Sequence, residues 1–349
     1  MERNNKRKWF TGLALAATMM LTACGGNSVA PEAGGTAAPA PAAATGEQFT
    51  FKMGNAQKPE HPYNIVLEEF AKKVEERTNG SVKFELYPMS ALGAEREMIE
   101  GMQLGTIDSA MVSTGPLGSF SPSMGVLDLP FLFTSREQVY NVLDGEIGQG
   151  LLSELEKSNL VGLAWAENGF RHITNSKRPV QSPADLNGLK LRTMENEIHL
   201  EAFKQMGANP TPMAWTEALT GMQQGVVDGQ ENPLVIADTF KLYEMNQKYM
   251  TLTGHLYSPA LIVFSKSSWD KLPAEFQAIV QEEAKVAADK ERQLIVEADE
   301  KALVELKNNG VEIIENIDIL PFQEAIKPVY EKYEERFGKE LIDSILNTK

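Results

Sequence analysis

The sequence predicts a two-lobe α/β fold behind an N-terminal tail, and three observations carry that expectation. The 349 residues exceed what one core of ordinary size holds. Strand and helix signals alternate over residues 49–112 and again over 160–232, the pattern of a sheet covered by helices on its faces. The two stretches also share a motif. Residues 97–108 align with 217–228 at a constant offset of 120, and six of the twelve positions are identical. Each copy is a helix that ends in glycine and turns into a strand whose second apolar residue is followed by aspartate. Helix-glycine-strand units can resemble one another by chance, but the shared Gly-Met-Gln-x-Gly favours a repeat.

The first element is not part of the fold. Arg3, Lys6, Arg7 and Lys8 precede a short apolar run over residues 9–21, too short to span a bilayer comfortably. Residues 1–23 therefore read as a secretory signal. The run ends in Leu21-Thr22-Ala23-Cys24-Gly25, which resembles a bacterial lipoprotein box with Cys24 as the lipidated residue. Cys24 is the only cysteine, so no disulfide forms within the chain. Residues 24–47 continue in Ala, Pro, Gly and Thr, a composition that cannot bury enough surface to offset chain entropy and reads as a disordered tether.

Residues 49–53 alternate as a strand. Over 62–79, Val66, Phe70 and Val74 recur at helical spacing until Gly80. Val82, Phe84 and Leu86 alternate as a second strand that Pro88 stops. Residues 95–104 read as a helix and 106–112 as a strand. After residue 160, Ser182-Pro183 supply an N-cap and a first-turn proline. Residues 273–308 form one helix of roughly 50 Å at 1.5 Å per residue. That exceeds a single lobe, so the helix should lie across both. Gly310 stops it, 311–314 form a short strand, and amphipathic helix follows from Leu320.

Charge and motifs narrow the function. Hydrophobic content of 42% and a charged fraction of 23% are those of a soluble globular protein. The net charge is −15, and removing residues 1–23, with four positive charges and one glutamate, would take it to −18. Such a chain offers no basic face to nucleic acid. His61, His172, His199 and His255 are scattered, with no metal-ligand spacing. Glycine-rich nucleotide loops and the Gly-x-Ser-x-Gly elbow are absent. No metal or cofactor is expected, and binding is the default reading rather than catalysis. Against this acidic background, Arg171 in Gly169-Phe170-Arg171-His172-Ile173-Thr174 and Arg192 in Leu189-Lys190-Leu191-Arg192 stand out. Placed on neighbouring strands, they would concentrate positive charge, and a guanidinium matches a carboxylate with two parallel hydrogen bonds. The alternative is that either arginine pairs with one of the 48 acidic residues.

Residues 168–255 resemble the extracytoplasmic solute-binding proteins of TRAP (tripartite ATP-independent periplasmic) transporters, the DctP-like family. The matching stretches are Gly169 to Asn175, Ser182 to Arg192, Gly207-Ala208-Asn209-Pro210-Thr211-Pro212-Met213-Ala214-Trp215, and Gln223 to Pro233 with Val227-Asp228-Gly229-Gln230-Glu231-Asn232 at its heart. His61-Pro62, Tyr87-Pro88, Leu92-Gly93 and Gly105-Thr106-Ile107-Asp108 fit the same pattern. The resemblance implies a periplasmic-binding-protein-like fold with hinge strands and the long helix spanning both lobes. Lobe I would comprise 48–168 plus about 258–297, and lobe II 169–257 plus about 298–349.

The resemblance also implies roles. Arg192 would clamp a ligand carboxylate bidentately, Arg171 would add a second positive contact, and Asn232 would hydrogen-bond the carboxylate. Trp215, where phenylalanine is often found, would floor the pocket or simply be a core aromatic. Asn55, His61 and Glu95 fall where the family places polar contacts, although a turn bond or surface role is as good a reading of each. Ser113 stands where sialic-acid-binding relatives carry glutamate. Glu195 and Asn196 would help select hydroxyls, and Glu195 beside the clamp mildly favours a sugar acid over a C4-dicarboxylate. The expected function is a monomeric receptor outside the cytoplasm, lipid-anchored to a bacterial membrane, that hands an organic acid to TRAP permease subunits. The alternatives are a ligand sensor for a signalling system and a secreted enzyme acting on carboxylated sugars.

Overall fold

The structure is a computed structural model and describes residues 46–349. The expected signal segment, Cys24 and nearly all of the tether lie outside the described residues. The strands are β1 (Phe49–Gly54), β2 (Val82–Tyr87), β3 (Ser109–Ser113), β4 (Leu160–Asn175), β5 (Lys190–Thr193), β6 (Asn209–Pro212), β7 (Gly229–Asn232), β8 (Tyr249–Ser265) and β9 (Glu312–Ile314). They form a sheet in the order β2-β1-β3-β8-β4-β7-β5-β6, with β9 also paired to β8.

That order divides the sheet into two parallel triplets carried by one antiparallel ribbon. Strands β2, β1 and β3 are mutually parallel, and β3 joins β8 over Ala260 to Phe264. Strands β6, β5 and β7 are parallel too, and β7 joins the other end of the ribbon at His172 to Asn175 of β4. Strands β4 and β8 run antiparallel along most of their length, with register shifts at Gly162/Ala164, Glu167/Gly169 and Arg171/Ile173. Gly169 sits at the middle shift with φ +113°, a backbone angle that favours glycine. The two-lobe α/β expectation is met: each triplet with its helices is one lobe, and β4 and β8 pass through both.

The sequence repeat is a structural repeat. The helices Glu95–Leu104 and Trp215–Gln224 end in Gly105 and Gly225, at φ +73° and +71°. Each glycine N–H reaches back to the last turn, a left-handed C-cap that only glycine adopts at little cost. Asp108 then accepts the Lys52 N–H of β1 at 2.9 Å, and Asp228 accepts the Lys190 N–H of β5 at 3.0 Å. The motif aspartate thus stitches its own strand to the neighbouring one in each lobe.

Three apolar clusters fill the fold. One packs β1, the helix Pro62–Arg77 and the first half of the long helix, using Phe51, Phe70, Val74, Val280 and Ala284. Another packs the second half of that helix, Ile295, Ala302 and Leu306, against Met222, Val235 and Phe240. The largest lies between, around Val112, Leu127, Trp165, Leu191 and Phe203. The long helix, Ala274–Asn308, therefore serves both lobes as its length required. Beyond Gly310 the chain closes with three helices, Leu320–Ala325, Lys327–Phe337 and Lys339–Asn347.

One local expectation is corrected. Arg171 lies on β4 and Arg192 on β5, but they are not on neighbouring strands, because β7 runs between them. The short β7 extends from the repeated aspartate and pairs with both. The expected N-cap and first-turn proline are met: Ser182 opens a single 3-10 turn, Pro183–Leu186, in which Asp185 Oδ2 accepts the Ser182 N–H and Oγ–H.

Candidate ligand site

The carboxyl ends of both parallel triplets meet at the ribbon. The loop after β1 contributes Ala56 and Gln57, the end of β3 Ser113, β5 Arg192, the end of β7 Asn232, and the crossing strand β4 Asn168 and Arg171. Ligands in open α/β sheets sit at this edge, where strand ends and helix N-termini point outward. Together with Glu95, Met194, Trp215 and Ile236 these residues line a cavity of about 30 Å³.

The two arginines play different parts. Arg171 is buried, and its planar fork is already occupied. Nε bonds Glu231 Oε2 at 2.5 Å, and Nη2 bonds Glu231 Oε1 at 2.8 Å and the Glu231 carbonyl at 2.6 Å. Burial alone would push the Glu231 carboxyl up, but the Arg171 guanidinium, with His255 behind it, holds it well below the usual carboxylate range. Arg171 lines the cavity with a guanidinium that Glu231, next to Asn232 on the intervening strand, already holds through Nε and Nη2, the acidic pairing considered as the alternative.

Arg192 is the opposite case. It is 4% exposed, and among the described residues its one hydrogen bond runs from Nε to the Met213 carbonyl at 2.9 Å. Among the described residues no hydrogen bond reaches either terminal nitrogen, the residue lines the cavity, and the guanidinium lies 5.4 Å from the Trp215 ring. Burial pushes its pKa down to about 10, with Glu231 opposing and Arg171 assisting, so it stays charged at neutral pH. A buried cation with an open bidentate edge can take a carboxylate.

Around this edge the other groups are held by one another. Ser113 donates its N–H and its Oγ–H to Glu95 Oε1, both at 2.8 Å. Asn168 donates to Ser113 Oγ at 2.9 Å and accepts the Tyr63 hydroxyl at 2.9 Å. Burial pushes the Glu95 carboxyl up, against the pull of Ser113 and both arginines. Trp215 packs edge-on to Phe240, with centroids 5.1 Å apart, and its Nε1 is buried without a partner. Asn232 donates to Gln230 Oε1 at 2.5 Å.

The structure thus brings together Arg171, Arg192, Asn232, Trp215 and Glu95 of the expected set. It places the rest outside the lining. Asn55 is spent on its own turn, bonding Asn64 and the Gln57 N–H at 2.8 Å each. His61 caps the helix Pro62–Arg77 by accepting the Tyr63 N–H, and burial pushes it down to about 3. Asn196 caps the helix Glu197–Gln205 and donates to Gly115 and Asp128. Glu195 is half-buried beside it. Sequence reading passed over Gln57, Asn168 and Glu231. Glu231 carried no signal of its own in the sequence, because its position between the two arginines depends on the pairing of β7 with β4 and β5.

A larger cavity of about 490 Å³ lies elsewhere, lined by Phe131, Phe170, Leu234 and Leu303 among others. Its arginine, Arg136, is already bound to Glu167 and Asp299, so the smaller cavity is the better candidate for an anion. Among the described residues no group of three or more His, Cys, Asp or Glu is placed to hold a metal ion, and no helix is long and apolar enough to cross a membrane.

Residues 53–336 match the family model described as bacterial extracellular solute-binding protein, family 7. A solute-binding protein of Verminephrobacter eiseniae is 44% identical over 298 residues, 85% of this chain and 89% of that one. A TRAP periplasmic solute-binding protein from Polaromonas, solved bound to D-erythronate, is 42% identical with a TM-score of 0.85, covering 86% of this chain and 99% of the other. One from Bordetella, with density assigned to pantoate, is 44% identical with a TM-score of 0.84, over 86% and 100% of the two chains.

Proposed function

We propose that this chain, which belongs to family 7 of the bacterial extracellular solute-binding proteins, the receptors of TRAP transporters, captures an organic acid by closing Arg192 on its carboxylate. The family is one of binding proteins rather than enzymes. One observation carries the clamp: Arg192 is buried, is held among the described residues only through Nε, and lines a cavity together with residues of both lobes. Arg171 serves the clamp indirectly. Neutralised by Glu231, it fixes the strand that presents Asn232, which stands ready for the second carboxylate oxygen.

The ligand is a sugar acid or a C4-dicarboxylate, and the acids named for the two solved relatives, D-erythronate and pantoate, support the hydroxylated monoacid. Lobe I, 48–168 with about 258–297, and lobe II, 169–257 with about 298–349, close over it about β4 and β8. Cys24 carries a lipid that tethers the protein to the membrane as a monomer, and the closed form passes its acid to the permease subunits.

Calorimetry on residues 46–349 tests the clamp. Uronates, aldonates and C4-dicarboxylates should separate into binders and non-binders, with neutral sugars silent. Arg192→Ala should cost at least about thirtyfold in affinity, the 2 kcal/mol or more lost when one partner of a buried charge pair is truncated. Arg192→Lys should also bind weakly, because an ammonium cannot make the paired bonds. Unchanged affinity in Arg192→Ala sinks the clamp.

A further inference from the structure

Two side chains that line the cavity with Arg192 each carry an oxygen with no hydrogen-bond partner among the described residues. Gln57 is 7% exposed and lines the cavity, and its Oε1 is buried with no hydrogen bond. Its backbone is fixed on both sides. The N–H bonds Asn55 Oδ1 at 2.8 Å, and the carbonyl accepts the Met89 N–H at 2.9 Å and Asn64 Nδ2 at 3.3 Å. A buried amide oxygen left unbonded costs about 1–3 kcal/mol, so an unpaired side-chain oxygen on so fixed a stretch of backbone points to a donor that arrives from outside. Glu95 offers the second acceptor. Ser113 occupies its Oε1, and among the described residues no hydrogen bond reaches its Oε2. Both acceptors come from the β1–β3 triplet, across the cavity from the guanidinium on β5.

We propose that Gln57 is a specificity-determining residue which, with Glu95, reads the hydroxyls of a bound monocarboxylate whose acid group lies on Arg192. The inference rests on the clamp reading and deepens it. A hydroxyl can donate to the amide and carboxylate oxygens, whereas a second ligand carboxylate can only accept and would be repelled by Glu95. The orphaned Nε1–H of Trp215 adds one donor on the arginine side, which a hydroxyl next to the acid can satisfy by accepting. The ligand class is therefore a polyhydroxy monocarboxylate rather than a dicarboxylate.

Four probes of one chain length decide it: 2,3,4-trihydroxybutanoate, 2-hydroxybutanoate, butanoate and succinate, titrated into the wild type, Gln57→Leu and Gln57→Glu, with melting temperatures confirming that each variant folds. The wild type should prefer the trihydroxy acid over butanoate by at least about tenfold and bind succinate more weakly than the trihydroxy acid. Gln57→Leu should collapse that preference, the trihydroxy acid losing far more affinity than butanoate. Gln57→Glu, which keeps the acceptor, should preserve the preference among the monocarboxylates and weaken succinate most. Equal binding of trihydroxybutanoate and butanoate by the wild type, succinate binding as tightly as the trihydroxy acid, or an equal loss of all probes in folded Gln57→Leu would overturn the proposal. The clamp fails separately, through an unchanged Arg192→Ala. If the hydroxyl preference still collapses in Gln57→Leu in that case, the role of Gln57 stands without it.

Discussion

At the scale of single residues, burial decides what a charge can do. Arg171 and Arg192 read alike in the sequence, yet one is consumed by Glu231 and the other is left open, because β7 delivers a carboxylate to the first and not to the second. No spacing rule distinguishes them, since the partner comes from sixty residues away. Asn55 and His61 show the same ambiguity resolved the other way, with side chains spent on a turn and a helix cap. His61 yields a prediction. Burial holds its pKa at about 3, whereas an unfolded histidine titrates near 6.5. The unfolded state therefore binds the extra proton, so the contribution to stability is complete above about pH 6.5 and is lost as the pH falls toward 3. His61→Asn keeps an oxygen to cap the Tyr63 N–H but has nothing to titrate. Urea unfolding at a series of pH values should show a shallower acid slope for the variant, by up to about 1.4 kcal/mol per pH unit. Identical slopes would show that His61 titrates alike in the folded and unfolded states.

At the scale of elements, the sequence was legible wherever periodicity and punctuation coincide. The helix Pro62–Arg77, the helix Glu95–Leu104, the long helix and strands β1 and β2 were all bounded by proline or glycine and lie within a few residues of expectation. The placement of β7 between β4 and β5 was not legible, because four residues ending in Gln-Glu-Asn give no apolar alternation, and their position depends on non-local pairing. The repeat is the most informative element-scale feature, since it places one aspartate identically in both lobes. Asp108 and Asp228 each accept a backbone N–H from the adjacent parallel strand. Asp108→Ala and Asp228→Ala should each destabilise by about 1–2 kcal/mol. Because they act in separate triplets, the double variant should lose the sum to within about 0.5 kcal/mol. Denaturant titration of the four proteins measures this directly, and a large non-additive residue would mean that the two lobes unfold through a shared strand unit.

At the scale of the whole molecule, the two lobes are joined by β4 and β8, by the long helix, and by side-chain contacts that no sequence pattern announces, among them Asn196 to Asp128, Arg136 to Asp299 and Lys58 to Thr239. Lys58, directly after Gln57, donates from Nζ to the Thr239 carbonyl at 2.8 Å and stands 5.1 Å from the centre of the Phe240 ring. Thr239 ends the helix Leu234–Thr239, where unpaired carbonyls and the helix dipole favour a cation. Phe240 packs edge-on to Trp215, which in turn lies against the Arg192 guanidinium. Lys58 is thus the outermost member of a stack that ends at the open arginine, and it ties the loop after β1 to the opposite lobe. Breaking it removes a half-exposed contact, so Lys58→Met, which keeps the aliphatic stem, should change unfolding free energy by no more than about 0.5 kcal/mol. It should nevertheless let the lobes part more easily around a bound acid. Stopped-flow binding is therefore expected to show dissociation faster by roughly three- to tenfold with association nearly unchanged, since differences within one interface fall mostly on the off-rate. A variant that loses affinity through slower association instead would assign Lys58 to steering an anion into the cleft, and one with wild-type rates in both directions would show that the remaining links between the lobes set how long they stay closed.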